Sequence, residues 1–233
     1  MKSIYERTEK LIGPENLNRI KKSRVIVFGL GGVGGYVVEA LARTGVGTIG
    51  IVDYDTIDPT NINRQIAALK STVGKYKADV MRDRISDINE EIKVNAFKEK
   101  LTASTADMFF TEEYDYIVDA IDDTAAKLIL IEKAGALMTP VISCLGTGNK
   151  TDPTRFIITD IEKTHTCPLA KKMRKELSMR GISGVKVLFS DEPPRKFDDG
   201  PGPPASIAFV PAAAGILIAG EVVSDLLSFK KSC

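Results

Sequence analysis

A glycine-rich turn between an apolar run and a helical pattern constrains the fold of this chain more than any other feature. RVIVF predicts a buried strand, GLGGVGG follows it, and a second apolar run, TIGIV, leads into Asp53. In the spacing Gly29-x-Gly31-x-x-Gly34, the first glycine forms the turn and the second lets backbone N–H groups approach a phosphate. The third glycine lets the helix pack closely on the strand. The stretch therefore predicts a nucleotide-binding βαβ unit.

Strand and helix patterns alternate along the first two thirds of the chain. β-branched apolar runs predict strands, and apolar residues three and four apart predict helices. The predicted strands are 24–28, 48–52, 93–97, 116–120 and 141–143, and the predicted helices are 4–22 (broken at 13–14), 36–43, 75–89 and 125–136. This alternation predicts an α/β fold of the Rossmann-like, doubly wound type with a mostly parallel sheet.

The C-terminal half is expected to be more irregular. It contains predicted strands at 155–160 and 185–189, a basic helix at 168–180 and a small-residue helix at 212–227. The proline-rich stretch 190–204 predicts a mobile loop, which either closes over a substrate as a lid or is simply disordered. We expect a single domain over residues 1–233, with a nucleotide-binding core at about 20–150 and a substrate-side region at about 151–233.

Composition and charge exclude several classes of protein. A net charge of +1 gives no global field to recruit nucleic acid, so any such site must be a local patch. The three cysteines, Cys144, Cys167 and Cys233, are too few for a disulfide framework, and without a Cys-x-x-Cys pair a four-cysteine zinc site is excluded. No apolar signal segment follows Met1, and the longest uncharged stretch, 205–220, is too short to cross a bilayer. We expect a cytoplasmic protein with no membrane span.

Charged residues around the glycine loop favour a triphosphate over a dinucleotide. The charged residues are Asp53, Asp55, Arg64 of NINRQ, Lys77 and Asp122 of DAIDD, and the polar Asn61 of NINRQ accompanies them. Cations suit phosphates, and a carboxylate at the end of a strand suits Mg²⁺, which takes one or two carboxylates plus phosphate oxygens. A hydride-transfer enzyme needs neither. Taken alone, Lys77 is more simply explained as a solvated helix lysine, and Asp123 as a helix N-cap.

The ordered set of motifs resembles the ubiquitin-activating-type adenylating enzymes, the ThiF/MoeB/HesA family. The family pattern is similar to G-x-G-G-x-G, D-x-D, N-x-x-R-Q, a lysine and [TI]-D-[ND], and all five pieces occur here in order. The resemblance implies that a carboxylate attacks the α-phosphate of ATP, with Mg²⁺ as the accompanying ion, to give an acyl-adenylate and pyrophosphate.

The resemblance also implies roles for individual residues. The nucleotide-binding set is Gly29, Gly31, Gly32, Gly34, Asp53, Asp55, Asn61, Arg64, Lys77 and Asp122. Within this set, Asp53 would hold the ribose, Arg64 and Lys77 would act on the phosphates, and Asp122 would bind Mg²⁺. Arg7 matches a family arginine that reaches into the partner subunit's site, which implies a catalytic role for Arg7 and a homodimer.

The second half of the chain narrows the resemblance. Family members that activate sulfur-carrier proteins have two Cys-x-x-Cys pairs, which this chain lacks. The segments RTEKLIG, CPLAKKMRKEL, LFSDEP and SIAFVPAAAGILIAGEVVSDL instead resemble the tRNA threonylcarbamoyladenosine dehydratases. That resemblance implies ATP-dependent cyclisation of threonylcarbamoyladenosine in tRNA through adenylation of its carboxylate, with net loss of water. Because the attacking nucleophile belongs to the same side group, no enzyme nucleophile is required.

Two features of the second half have open interpretations. Cys167 follows His165, the single histidine, and relatives in the superfamily use a downstream cysteine to take the acyl group as a thioester. Pro168 predicts instead that Cys167 is an ordinary residue at a helix start. The residues expected to bind tRNA phosphates are Lys171, Lys172, Arg174 and Lys175, although a solvated basic face would have the same composition.

The sequence leaves three other functions open. The chain could adenylate the C-terminus of a small ubiquitin-like sulfur-carrier protein. It could be an NAD(P)-dependent oxidoreductase, which would leave Arg64, Lys77 and Asp122 without a role. It could also be a catalytically silent nucleotide-binding adaptor that meets a cysteine desulfurase or another sulfur-transfer partner.

Overall fold

Seven strands form one sheet in the computed structural model, which describes residues 3–196 and 204–228. They are β1 (Arg24–Phe28), β2 (Thr48–Val52), β3 (Lys93–Phe97), β4 (Tyr116–Asp119), β5 (Val141–Cys144), β6 (Phe156–Asp160) and β7 (Lys186–Ser190). The spatial order is β3-β2-β1-β4-β5-β7-β6. All neighbouring strands are parallel except β6, which runs antiparallel to β7. The predicted doubly wound, mostly parallel sheet is confirmed.

Helices cover both faces of this sheet. They are α1 (Glu6–Ile12), α2 (Pro14–Lys22), α3 (Gly34–Thr44), α4 (Lys77–Ile88), α5 (Thr124–Ala136), α6 (Pro168–Met179) and α7 (Phe209–Leu227), with short 3-10 helices at Pro59–Asn61, Ala106–Phe110, Pro153–Arg155 and Ile161–Lys163. Buried residues of α3, α4 and α7 share one core with the sheet, and those of α5 share a second core with Phe109. Because both faces are covered, the central strands are largely apolar, as the sequence of β1 predicts.

The β6–β7 pair extends the same sheet rather than forming a separate one. β7 pairs with β5 in parallel, and β6 closes the edge in the antiparallel sense. Residues predicted to be irregular therefore continue the nucleotide-binding sheet. The division into a core at 20–150 and a substrate-side region at 151–233 stays a prediction.

The site lies where the strand order changes direction, at β1 between its neighbours β2 and β4. Phe28 at the end of β1 lies between Val52 of β2 and Asp119 of β4 in the strand register. The loops that begin at Gly29, Asp53 and Ala120 therefore leave the sheet side by side. In open α/β sheets, a ligand crevice lies outside the carboxyl ends of the strands at such a point.

α7 is a core helix. It spans 19 residues with a mean hydropathy of 1.7, so it is long and apolar enough to cross a membrane by length and composition. The uncharged stretch 205–220 covers only part of this helix, which extends from Phe209 to Leu227. Half of its apolar window is buried in the fold. A Cβ placed on Gly215 would lie 2.5 Å from the Val33 carbonyl oxygen, so its backbone packs directly on the start of α3.

The predicted loop 190–204 is only partly described. Residues 197–203 lie outside the described residues, as does Cys233, so a lid at 190–204 stays a prediction. Asn149 forms hydrogen bonds with the described segments on both sides of residues 197–203. Its carbonyl accepts from the Arg195 N–H at 2.8 Å, its Oδ1 accepts from the Ala205 N–H at 2.7 Å, and its own N–H donates to the Ala205 carbonyl at 2.8 Å.

Candidate active site

A cavity of about 870 Å³ opens at the carboxyl ends of β1, β4 and β5. Its walls are the glycine loop, the segment 53–65, the start of α5, the loop after β5 and the start of α6. Its volume lies within the range of small-molecule and cofactor sites.

Glycine is required at two positions of the loop that begins this cavity. Gly29 has φ +86°, and its N–H donates to the Val52 carbonyl at 2.8 Å. A Cβ on Gly34 would lie 1.8 Å from the Gly29 carbonyl oxygen. Gly31 and Gly32 line the cavity between these two positions. The loop therefore presents backbone to the cavity, as a phosphate-binding turn requires.

The Asp53 carboxylate holds the glycine loop in place. Its Oδ2 accepts from the Leu30 N–H at 2.7 Å, and its Oδ1 accepts from the Asp55 N–H at 2.9 Å. Burial raises the pKa of Asp53, while Lys77 and the two N–H groups act to lower it. A fixed carboxylate with remaining lone pairs is suited to accept hydrogen bonds from ribose hydroxyls.

Lys77 is part of the cavity wall. It is the first residue of α4, and its side chain is 7% exposed. Its Nζ lies 2.7 Å from Asp55 Oδ2 and 3.8 Å from Asp53 Oδ2. The interpretation of Lys77 as a solvated helix lysine is wrong, because α4 begins at the cavity and points this residue inward.

Arg64 and Asn61 sit on the tight turn after β2. Asn61 Oδ1 accepts from the Asp58 N–H at 3.2 Å and caps the 3-10 helix. One Arg64 nitrogen donates to the Thr60 carbonyl at 3.0 Å and to Asn63 Oδ1 at 2.9 Å. Within residues 3–196 and 204–228, no carboxylate pairs with Arg64. The turn thus places a half-buried guanidinium at the cavity, and the two oxygens that accept from it carry no charge.

Two carboxylates of the DAIDD segment, those of Asp122 and Asp123, make different contacts. Asp123 Oδ2 accepts from the Ala126 N–H at 3.0 Å, so it is the N-cap of α5, as predicted. Asp122 is exposed at the cavity edge and makes no hydrogen bond or ion pair in the described part of the chain. No cluster of three metal-ligating side chains occurs among the described residues. One free carboxylate fits Mg²⁺, which binds through one or two carboxylates plus phosphate oxygens.

Two features beside the nucleotide residues were missed by the sequence analysis. Gln65 is buried at the cavity wall, and its Oε1 has no hydrogen-bond partner among the described atoms. Its place next to Arg64 in NINRQ is a signal that could have found it. Asp119 and Lys127 form an ion pair of 3.0 Å with both side chains fully buried. Lys127 Nζ also donates to the Cys144 carbonyl at 2.7 Å, which joins β4, β5 and α5 beneath the cavity.

Cys167 and His165 make a backbone contact, in which the Cys167 N–H donates to the His165 carbonyl at 2.5 Å, but no side-chain hydrogen bond joins them among the described residues. Cys167 is buried at the cavity wall, whereas the His165 ring lies edge-on to Phe189 and its Nδ1 lies 3.0 Å from Thr166 Oγ1. Thr166 has φ +59°, a strained conformation for a β-branched residue. Cys144 is a core residue, as expected, and burial raises the pKa of its thiol to about 12.

The basic helix α6 begins at the cavity, and its four basic residues differ in exposure. Lys171, Lys172 and Lys175 are exposed. Arg174 is half-buried, and its guanidinium donates to the Thr164 carbonyl at 2.7 Å. Arg174 thereby fixes the turn that precedes α6, and tRNA binding by the four residues stays a prediction.

Comparison with known families matches residues 5–232 to the ThiF family. The chain belongs to the ThiF family. This result accounts for the glycine loop, the NINRQ turn and Lys77 at one cavity.

Two members of the ThiF family are similar to this chain over nearly its whole length. The tRNA threonylcarbamoyladenosine dehydratase of Bacillus subtilis (strain 168) is 47% identical over 239 residues, covering 96% of this chain and 94% of the relative. The crystal structure of the E. coli tRNA N6-threonylcarbamoyladenosine dehydratase, TcdA, in complex with ATP superposes with a TM-score of 0.89 at 33% identity. The superposition covers 96% of this chain and 93% of the E. coli chain. The seven-stranded sheet is therefore the ThiF fold.

Proposed function

We propose that this chain is an ATP-dependent tRNA threonylcarbamoyladenosine dehydratase. The observation that carries this conclusion is its 47% identity to such a dehydratase across 96% of its length. The cavity supports it, because a relative with the same fold binds ATP and the nucleotide-binding residues of the motifs line one cavity here. An oxidoreductase would leave Arg64, Lys77 and Asp122 without a role.

The reaction requires that two substrates meet in the cavity. A carboxylate oxygen of the threonylcarbamoyl group forms a bond to the α-phosphorus of ATP, and pyrophosphate leaves. A nucleophile of the same side group then attacks the activated carbonyl carbon, and AMP leaves as the ring closes. In this scheme the glycine loop orients the nucleotide, while Arg64 and Lys77 neutralise phosphate charge as it develops.

Mg²⁺ is part of the proposal, and Asp122 is the residue that would hold it. The ion would supply charge neutralisation on the phosphates. The support is the free carboxylate of Asp122 beside the glycine loop. Asp123 does not serve in this role, because its carboxylate caps α5.

The exposed lysines of α6 are proposed to contact tRNA. Lys171, Lys172 and Lys175 follow Cys167, which lines the cavity, so tRNA phosphates bound along the helix would bring the modified adenosine to the cavity mouth. Each neutralised phosphate would steepen the salt dependence of tRNA binding by about one unit of log–log slope. We place this activity in the cytoplasm.

A homodimer is proposed from the outward face of α1. Arg7 and Leu11 are four apart, so they share one side of α1, and both are exposed, as is Ile4 just before the helix. Arg7 does not line the cavity of its own chain, which is consistent with action in a second subunit. A cysteine desulfurase or sulfur-transfer partner stays a prediction from the sequence.

The deciding experiment is a mass-spectrometric nucleoside assay. Purified protein is incubated with ATP, Mg²⁺ and tRNA carrying threonylcarbamoyladenosine, and the nucleoside is expected to lose the mass of one water only when ATP is present. Absence of the loss, together with ATP–pyrophosphate exchange supported by the C-terminus of a sulfur-carrier protein, would replace the dehydratase by that alternative. A thermal shift with NAD and none with ATP would favour an oxidoreductase.

Cys167→Ala is expected to keep most of this activity. The thiol has no partner base in His165, and the tethered nucleophile makes an enzyme thioester unnecessary. We expect the rate of the dehydration to fall by less than about threefold, since the change is a small one at a buried wall. A dead Cys167→Ala enzyme that still binds ATP would show that the acyl group passes through the thiol.

A further inference from the structure

One wall of the cavity is formed by the loop after β5, and hydrogen bonds join this loop to the segments that precede and follow 197–203. Glu192 carboxylate oxygens accept from the Thr151 N–H at 3.0 Å and from the Asp152 N–H at 3.0 Å. Arg195 donates to Thr151 Oγ1 at 3.1 Å, and Asn149 binds Arg195 and Ala205 through the backbone. The loop after β5 is therefore fixed by the segments on both sides of 197–203.

Lys150 is one of the residues that line this wall of the cavity. The residue is 4% exposed, and it lines the cavity next to Cys167. Its Nζ donates to the Glu192 carbonyl oxygen. No side-chain carboxylate forms an ion pair with Nζ within residues 3–196 and 204–228, because the Glu192 carboxylate is held by Thr151 and Asp152 and Asp191 pairs with Arg155. Lys150 is thus a buried ammonium whose hydrogen-bond partner is a neutral carbonyl.

A buried charge without a counter-charge is costly, and buried charges in proteins are generally paired. Lys77, the other lysine of this cavity, has Asp55 at 2.7 Å. Lys150 has no carboxylate at ion-pair distance within the described residues, and burial lowers its pKa while the nearby carboxylates of Glu192 and Asp191 act in the opposite direction. An anion brought into this part of the cavity would add a direct counter-charge.

We propose that Lys150 binds the carboxylate of the threonylcarbamoyl group and positions it for adenylation. This inference rests on the proposed function, which brings one carboxylate into the cavity besides the phosphates of ATP. Arg64 and Lys77 lie on the segments after β2, whereas Lys150 lies on the loop after β5, so the phosphates have two cations near the glycine loop and the Lys150 ammonium is left for the carboxylate.

The role is one of positioning and of charge stabilisation. Lys150 holds the carboxyl oxygen that does not attack, and the other oxygen forms the bond to the α-phosphorus as pyrophosphate leaves. The held oxygen becomes the carbonyl oxygen of the acyl-adenylate. When the tethered nucleophile adds to the carbonyl carbon, negative charge develops on that oxygen beside the ammonium, and it collapses as AMP leaves.

The test uses Lys150→Met, Lys150→Arg and the control Lys163→Met, which removes an exposed lysine on the 3-10 helix Ile161–Lys163, outside the cavity. Two quantities are measured for each protein: the Kd for ATP, and the difference in Kd between tRNA with and without the threonylcarbamoyl group. Pyrophosphate release is then followed against the concentration of modified tRNA. Lys150→Gln takes the place of Lys150→Met should the methionine variant fail to fold.

We expect Lys150→Met to bind ATP and unmodified tRNA as the wild type does, and to lose the preference for modified tRNA. Its kcat/KM for modified tRNA should fall by about 10²-fold, as for loss of one charge-stabilising donor. Lys150→Arg should recover part of the preference, and Lys163→Met should behave as the wild type. An unchanged preference for modified tRNA, or a weakened Kd for ATP alone, would overturn the assignment of Lys150. A wild-type protein that shows no ATP-dependent loss of water would overturn the proposed function and this inference with it.

Discussion

Arg64→Ala is expected to reduce kcat/KM for ATP by about 10³-fold. Arg64 has no acidic partner within the described residues, and its turn holds the guanidinium with the Thr60 carbonyl and Asn63 Oδ1. A preorganised cation at a phosphate site contributes by charge stabilisation, and loss of one such donor costs about 10²–10³-fold in rate, with arginines in phosphoryl transfer reaching higher. The measurement is ATP–pyrophosphate exchange supported by modified tRNA, as a function of ATP concentration.

The matched control is Arg82→Ala on α4. Arg82 is exposed and pairs with Asp79 at 3.0 Å and Asp83 at 2.9 Å, away from the cavity. We expect no change in exchange for this variant. Arg64→Lys should recover a small part of the rate, because an ammonium does not reproduce the planar fork of a guanidinium. An Arg64→Ala protein that exchanges within about threefold of the wild type would contradict the phosphate role, since that role requires a loss of order 10²-fold or more.

Lys127→Met is expected to destabilise the fold by about 3–5 kcal/mol, because it leaves Asp119 buried without a counter-charge. The pair is fully buried, with 3.0 Å between Lys127 Nζ and Asp119 Oδ2, and Ser143 Oγ donates to the same carboxylate oxygen at 2.5 Å. For a protein of this size the change corresponds to a Tm lower by roughly 10 °C. Urea unfolding of the two proteins at the same pH measures it.

The comparison for this prediction is Lys163→Met. Lys163 pairs with Asp160 at 2.9 Å, but both side chains are largely exposed, so its loss should change the free energy of unfolding by at most about 0.5 kcal/mol. Replacing both members of the buried pair, as Asp119→Asn with Lys127→Met, should recover much of the loss, because no buried charge is then left unpaired. A double variant less stable than Lys127→Met would show that hydrogen bonds, rather than the charge, set the cost.

The fold was largely predictable because its signals are local. β1, β2 and β3 begin and end at the predicted residues, since apolar β-branched runs bounded by loop residues define each strand. The place of β6 and β7 in the same sheet was not predictable, because strand pairing joins residues distant in sequence. The start of α7 at Phe209 was not predictable either, because its first turn is specified by packing rather than by a capping residue.

The candidate site was predictable where residues stand in an ordered motif. The glycine loop, Asp53, Asn61, Arg64, Lys77 and Asp122 all line the cavity, although their roles stay predictions. Lys150 and the Asp119–Lys127 pair were missed, because neither stands in a recognisable pattern and burial alone distinguishes them. The contact of Arg174 with the Thr164 carbonyl was not predictable either, because it joins residues ten apart whose spacing carries no signal.

The pairing of β5 with β4 on one side and β7 on the other has a consequence for dissection of the molecule. A fragment that stops at residue 150 would contain all the nucleotide-binding residues but would end in an unprotected β5 edge. Such an edge is a template for association with other chains. Residues 1–150 are therefore not expected to be soluble by themselves, because β7 covers this edge of β5 in the intact chain.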